Sequence, residues 1–252
     1  MFKIRVTSLI LLGFLAVSTF TLFTGCGSDE KKLDGAEAAY TQAQSYDKDE
    51  RYEEAIRRYQ EVKNKFPYSK FAVLSELAIA DAHFKQESFP EAQVAYQNFK
   101  DLHPKYEKID YVIFQLGLSY YNQLPPTSDR DLSLASKTIA NFDEIIKQHA
   151  NSEYLKEAVE KKGLVLKMQV EKEIYIADFY FKKGQWDSAR LRYEGAVKNY
   201  PGLGLEPKAL SRASICAARA SEMDRAKELL AQLKDRFPDS KSEIKDAEKE
   251  LK

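Results

Sequence analysis

The chain has 252 residues, 44% of them hydrophobic and 31% charged, values that exclude both wholesale disorder and a protein of many membrane spans. Its 39 Lys and Arg balance 39 Asp and Glu, leaving no basic excess to hold a phosphate backbone, so nucleic acid is not an expected partner. Two cysteines and three histidines are too few for a disulfide framework or a metal cluster, and ten glycines with eight prolines are too few for a turn-rich all-β fold.

Lys3 and Arg5 precede an uncharged stretch, residues 6–25, after which Gly25-Cys26-Gly27-Ser28 leads into the charged run Asp29 to Lys32. This is the layout of a secretory signal. Leu22-Phe23-Thr24-Gly25-Cys26 resembles a bacterial lipobox, in which the cysteine is acylated and becomes the mature N-terminus; Phe23 stands where an aliphatic residue is usual. The expected organisation is a signal peptide over 1–25 and a lipidated tether over 26–35, with an uncleaved membrane anchor as the alternative. Gly27 after the cysteine, under the enterobacterial sorting rule, points to the outer membrane. With Cys26 acylated, Cys216 is the one thiol left, and its setting in Ala213-Ser214-Ile215-Cys216-Ala217-Ala218 is that of a close helix contact.

The rest of the chain repeats. Tyr52, Ala55 and Tyr59 lead to Phe66-Pro67; Phe89, Ala92 and Tyr96 to His103-Pro104; Trp186, Ala189 and Tyr193 to Tyr200-Pro201; Met223, Ala226 and Leu230 to Phe237-Pro238. Thr138, Phe142 and His149-Ala150 keep the spacing without the proline. From Ala55 through Ala92, Thr138 and Ala189 to Ala226 the copies start 37, 46, 51 and 37 residues apart. A second small residue precedes each of these anchors: Ala43, Ala80, Gly117, Ala177 and Ser214, twelve residues earlier except at Gly117, where a loop with Pro125-Pro126 intervenes. Small residues at these two places let antiparallel helices approach closely. The pattern resembles the tetratricopeptide repeat and predicts an all-α superhelical solenoid of five helical hairpins, with repeats 1–3 over 36–154 and repeats 4–5 over 155–252. Ser69, Ser152 and Ser240 stand where each can cap the following helix, and the fourth repeat opens with a lengthened helix between Glu153 and Lys183.

No phosphate loop, zinc-protease motif, Cys-x-x-Cys or nucleophile elbow occurs, so neither catalysis nor a cofactor or metal is expected. His83, His103 and His149 fall in packing slots of the repeats. On the first helix of each repeat, the places three before and four after the small residue are expected to face the concave groove. They hold Tyr40 and Asp47, Leu77 and Phe84, Phe114 and Tyr121, Ile174 and Phe181, then Ser211 and Ala218. Such a lining suits an extended or amphipathic peptide; the alternative is that neighbouring turns or the N-terminal tail cover it.

Phe66-Pro67-Tyr68-Ser69, Ile109-Asp110-Tyr111-Val112 with Leu116-Gly117-Leu118, Asp129-Arg130-Asp131, and Ile176-Ala177-Asp178-Phe179-Tyr180 before Lys183-Gly184 resemble the BamD (ComL) family of outer-membrane lipoproteins over essentially the whole chain. The resemblance implies a non-enzymatic periplasmic scaffold, lipid-anchored in the outer membrane. Its N-terminal repeats would help receive unfolded β-barrel proteins, and its C-terminal repeats would dock the periplasmic domains of the barrel-inserting subunit BamA alongside other assembly lipoproteins. It also places partner-binding basic residues at Lys183 and Arg192, where the alternative is an ordinary exposed helix charge. Without these segments, the repeats would equally fit an exported scaffold for pilus or secretin assembly or for cell-envelope division.

Overall fold

Eleven α-helices and no strand make up residues 35–252, the part of the chain that the computed structural model describes. The expected signal peptide, Cys26 and all of the expected tether but Gly35 lie outside the described residues. Each hairpin pairs a first helix, α1 (Gly35–Lys48), α3 (Lys70–Lys85), α5 (Ile109–Tyr121), α7 (Leu155–Lys182) or α9 (Glu206–Arg219), with a second one. The second helices, α2 (Tyr52–Lys65), α4 (Phe89–Leu102), α6 (Ala135–Gln148), α8 (Trp186–Asn199) and α10 (Met223–Arg236), are all 14 residues long, and α11 (Lys241–Glu250) closes the series. Each helix packs on the one before and the one after, as a solenoid requires.

The small anchors do what their spacing predicts. Ala43, Ala80, Ala177 and Ser214 on the first helices, and Ala55, Ala92, Thr138, Ala189 and Ala226 on the second, have no exposed surface. One turn past the second-helix anchors, Tyr59, Tyr96, Phe142 and Tyr193 fill the space that the small residues leave open. A large side chain buried in this way contributes about 1.5–3 kcal/mol each.

The helix ends repeat as faithfully as the cores. Phe66, His103, His149, Tyr200 and Phe237 cap the five second helices with φ between −126° and −137° and ψ between 53° and 60°, each donating its N–H to the carbonyl four residues back. Proline explains the exit from helical ψ in four cases, since its ring excludes the α region for the preceding residue. His149 precedes Ala150 and adopts the same geometry, so there the tertiary packing sets it. Turns inside four hairpins pass through the left-handed region at Glu50, Glu87, Gly184 and Ser221, with φ of 59° to 71°; only the fourth repeat uses the glycine that this conformation favours.

The serine caps are fewer than expected. Ser69 accepts from the N–H of Ala72 at 3.3 Å, whereas Ser240 makes no side-chain cap bond and Ser152 takes the N–H of Tyr154, one turn short of the start of α7. A cap needs the carboxyl-side N–H groups in reach, and the turn before α7 carries the serine away from them.

Two irregularities of the repeat answer each other. The 28-residue α7 is twice the length of its counterparts α1 and α9, and residues 122–134 form the loop between α5 and α6. Leu132 and Leu124 of that loop pack with Val165 and Met168 of α7, and Lys172 Nζ donates to the Arg130 carbonyl at 2.6 Å. The N-terminal part of α7, at Ala158, packs with Ile113, Phe114 and Phe142 of the third repeat, and its C-terminal part, at Val170, Ile174 and Ala177, joins the core of the last two repeats. Residues 35–252 accordingly form one compact unit, in which α7 spans from one set of repeats into the other.

Candidate binding surfaces

The seven apolar residues expected to line the groove are largely used for packing. Leu77, Phe114 and Ile174 are buried in the core clusters, which corrects the expectation of an open lining at those places. Tyr40 lies 5.5 Å from the rings of Tyr59 and Phe71, and Phe84 lies 5.4 Å from Phe89. Tyr121 is under Lys161 at 4.7 Å, and Phe181 is held between Trp186 at 5.3 Å and Arg212 at 4.7 Å. Tyr40, Phe84, Tyr121 and Phe181 are half-buried. In the fifth repeat Ser211 donates to the Glu243 carbonyl at 2.7 Å, so α11 covers that position.

The physical reason is angular. At about 100° per residue, positions −3 and +4 lie within about 60° of the small anchor, on the flank that meets the second helix. Positions −6 and +1 lie together at about 100–120° from it, and these face outward from the hairpin contact. The structure places polar chemistry there. Asp81, one residue after Ala80, accepts the hydroxyls of Tyr96 at 2.6 Å and Tyr111 at 2.8 Å on one oxygen, Oδ1. Tyr111 stands six residues before Gly117 on the next first helix. Asp178, one residue after Ala177, accepts the hydroxyl of Tyr193 and, at 3.0 Å, Nζ of Lys208, six residues before Ser214. Both nodes thus tie an anchor aspartate to its own hairpin and to the next.

Burial pushes the Asp81 carboxyl above the usual carboxylate range, partly offset by the two tyrosine hydroxyls it accepts. Burial likewise raises the phenols of Tyr111 and Tyr193, and takes Tyr154 up to about 12. A cavity of about 440 Å³ opens in front of Asp81, bordered by Leu77, Tyr106, Tyr111 and Tyr154. The pairs Ala80-Asp81 and Ala177-Asp178 were the available signal for these nodes, an acid directly after a buried anchor.

Arg192, on α8, is half-exposed, with one guanidinium nitrogen, Nη1, 2.9 Å from Glu173 Oε2 on α7. The two line a surface cavity of about 470 Å³ with Tyr180, Leu191 and Tyr200. Lys183 follows the end of α7, exposed, its Nζ 5.8 Å from the ring centre of Phe179. Arg192 and Lys183 therefore sit on adjoining segments but engage different neighbours. Beside them Phe179 and Leu191 expose more than half of their surface, as does Tyr175 elsewhere on α7, an apolar feature that repeat spacing alone does not single out.

His103 pairs with Glu76 at 2.7 Å and packs at a tilt against Phe99, and His83 is half-buried beside Gln86. No group of His, Cys, Asp and Glu able to hold a metal occurs among the described residues. No helix among them is long and apolar enough to cross a membrane.

A family model described as YfiO, outer membrane lipoprotein, matches residues 33–233. A relative from Neisseria meningitidis serogroup A, named outer membrane protein assembly factor BamD, is 25% identical over 213 residues, 81% of this chain and 80% of its own. Proteins of the same name from Vibrio cholerae and Caulobacter vibrioides are 24% and 26% identical over 211 and 161 residues, covering 79% and 64% of this chain and 86% and 52% of theirs. Among solved structures, the TPR2AB domain of yeast Sti1 in its pHSP90 complex is similar at 15% identity, with a TM-score of 0.47 over 84% of this chain and 82% of that one. The family match spans all five hairpins into α10, and on that extent the chain belongs to the YfiO outer membrane lipoprotein family, the family of BamD.

Proposed function

We propose that this protein is a non-enzymatic scaffold for outer-membrane protein assembly. The observation that carries this reading is the family match over residues 33–233, shared with relatives named as assembly factors. In this reading acylation of Cys26 anchors the chain to the periplasmic face of the outer membrane. Repeats 1–3 receive unfolded β-barrel proteins, and residues 155–252 dock the periplasmic domains of the barrel-inserting subunit, BamA, beside other assembly lipoproteins.

The docking role is supported by what surrounds Arg192 and Lys183. An interface centred on arginine and exposed apolar side chains has the composition of a binding hot spot. One N–H of the Arg192 guanidinium serves Glu173, and the others are free to pair with a partner carboxylate in the forked geometry that lysine cannot reproduce. Arg192→Glu is expected to abolish co-purification of the barrel inserter from detergent-solubilised outer membranes while leaving the helical circular dichroism unchanged. Retained co-purification would remove Arg192 from the interface. Mass spectrometry of the membrane-extracted protein tests the anchor, with an acylated Cys26 at the N-terminus as the expected product and an intact Met1 as the opposing one.

A further inference from the structure

The two aspartate nodes are copies of one arrangement and differ at one position. At Asp178 the place six residues before the next anchor holds Lys208, whose ammonium lies 3.0 Å from Oδ2 while the tyrosine serves Oδ1. At Asp81 the same place holds Tyr111, which joins Tyr96 on Oδ1. Oδ2 of Asp81 accepts no hydrogen bond from any described residue, and Lys85, whose charge acts on it, is committed to Asp47 at 2.7 Å. One node carries its own ammonium; the other lacks it and has a cavity in its place.

The cavity has the chemistry to hold such a group. Three carboxylates, Asp81, Asp110 and Glu153, border it against one cation, Lys108. None of the four forms an ion pair among the described residues. Three phenol rings complete the walls: Tyr106, packed edge-on to Phe99, Tyr111, and Tyr154, stacked on Phe114 at 4.8 Å. Ring faces beside carboxylates attract a guanidinium or ammonium through the ring quadrupole and through charge-assisted hydrogen bonds. An anionic or purely apolar segment gains neither.

We infer that this cleft binds the lysine or arginine side chain of an extended polypeptide lying across the first helices of repeats 2 to 4. The polypeptide supplies to Asp81 the cation that Lys208 supplies internally to Asp178. This rests on the reading that the N-terminal repeats receive unfolded chains, and deepens it by naming a side chain they select.

The test titrates the full-length acylated protein in detergent with three capped fluorescent peptides that differ only at one central residue: arginine, its neutral isostere citrulline, or glutamate. Anisotropy is expected to show the arginine peptide bound about tenfold more tightly than the citrulline peptide, as for a hydrogen bond to a charged group, with glutamate weakest. Asp81→Asn, which keeps an acceptor for both tyrosines, is expected to erase the preference. The double variant Asp110→Asn with Glu153→Gln, which leaves the tyrosine node untouched, is expected to reduce it. Equal binding of the arginine and citrulline peptides overturns the cation site while the receiving role stands. A preference that survives in both variants places the cation elsewhere and also overturns it. Binding of none of the three peptides overturns the receiving role and this site together.

Discussion

A β-carbon added at Gly117 would lie 2.8 Å from Cε1 of Phe142 and 3.3 Å from Cβ of Asn141, so the third hairpin cannot take the alanine that repeats 1, 2 and 4 carry at this place. Phe142 is fully buried and has no room to yield. Gly117→Ala is expected to destabilise the protein by about 1–3 kcal/mol through overpacking, seen as a lower urea midpoint with unchanged slope. Cys216 illustrates the opposite use of a tight contact. Burial pushes its thiol up to about 12 despite the nearby Arg219 and Arg212, so it is expected to resist a thiol reagent at mildly alkaline pH in the native protein and to react fully after unfolding. Rapid labelling of the native protein would contradict this. Both residues were readable beforehand from their small-residue settings. Asp81 was marked only by its place directly after a buried anchor, and its role was not readable, because an acid on a helix reads as solvated until the neighbouring hairpin brings Tyr111 to it.

Helix α11 has one buried side chain, Ala247, and leans on polar links to α9 and α10: Ser211 to the Glu243 carbonyl, Lys234 to Glu248 at 2.6 Å, and Arg219 to both oxygens of Glu250 at 2.8 and 3.0 Å. Hydrogen bonds from Arg219 hold the Glu250 carboxyl below its ordinary value, against a smaller opposing effect of burial. A depressed folded-state pKa contributes stability above the unfolded value and loses it as pH falls through the folded one. The clamp is therefore intact at neutral pH and weakens below about pH 4.3. Amide protection of α11, normalised for intrinsic exchange, is expected to fall in that range before that of α8 and α9, and Arg219→Ala to produce the same loss at neutral pH. Simultaneous loss across α8 to α11 would contradict a separately docked helix. The long α7 and the loop at 122–134 were each legible in the sequence as departures from the repeat. Their mutual packing was not, since it joins residues thirty or more apart with no periodic relation.

Over the whole chain the zero net charge conceals an uneven distribution: residues 26–154 carry 16 bases and 22 acids, and residues 155–252 carry 21 bases and 17 acids. An acidic N-terminal part that presents Asp81, Asp110 and Glu153 and a basic C-terminal part that presents Arg192 and Lys183 suit an adaptor whose ends meet partners of opposite character. The proposed association of the C-terminal part with the barrel inserter is accordingly expected to weaken as salt rises, because exposed charges are screened beyond about 10 Å at 0.1 M. A salt-independent affinity would assign the contact to Tyr175, Phe179 and Leu191 instead.

The hairpins, their anchors, the second-helix ends and the lengthened fourth-repeat helix were determined by the sequence alone, because each depends on residues within one turn or one hairpin, where spacing is geometry. Which side chains remain open to a partner was decided only by the tertiary structure. Exposure is set by packing within and between hairpins, which buries Leu77, Phe114 and Ile174, gives Asp178 its lysine, and leaves Asp81 facing a cavity.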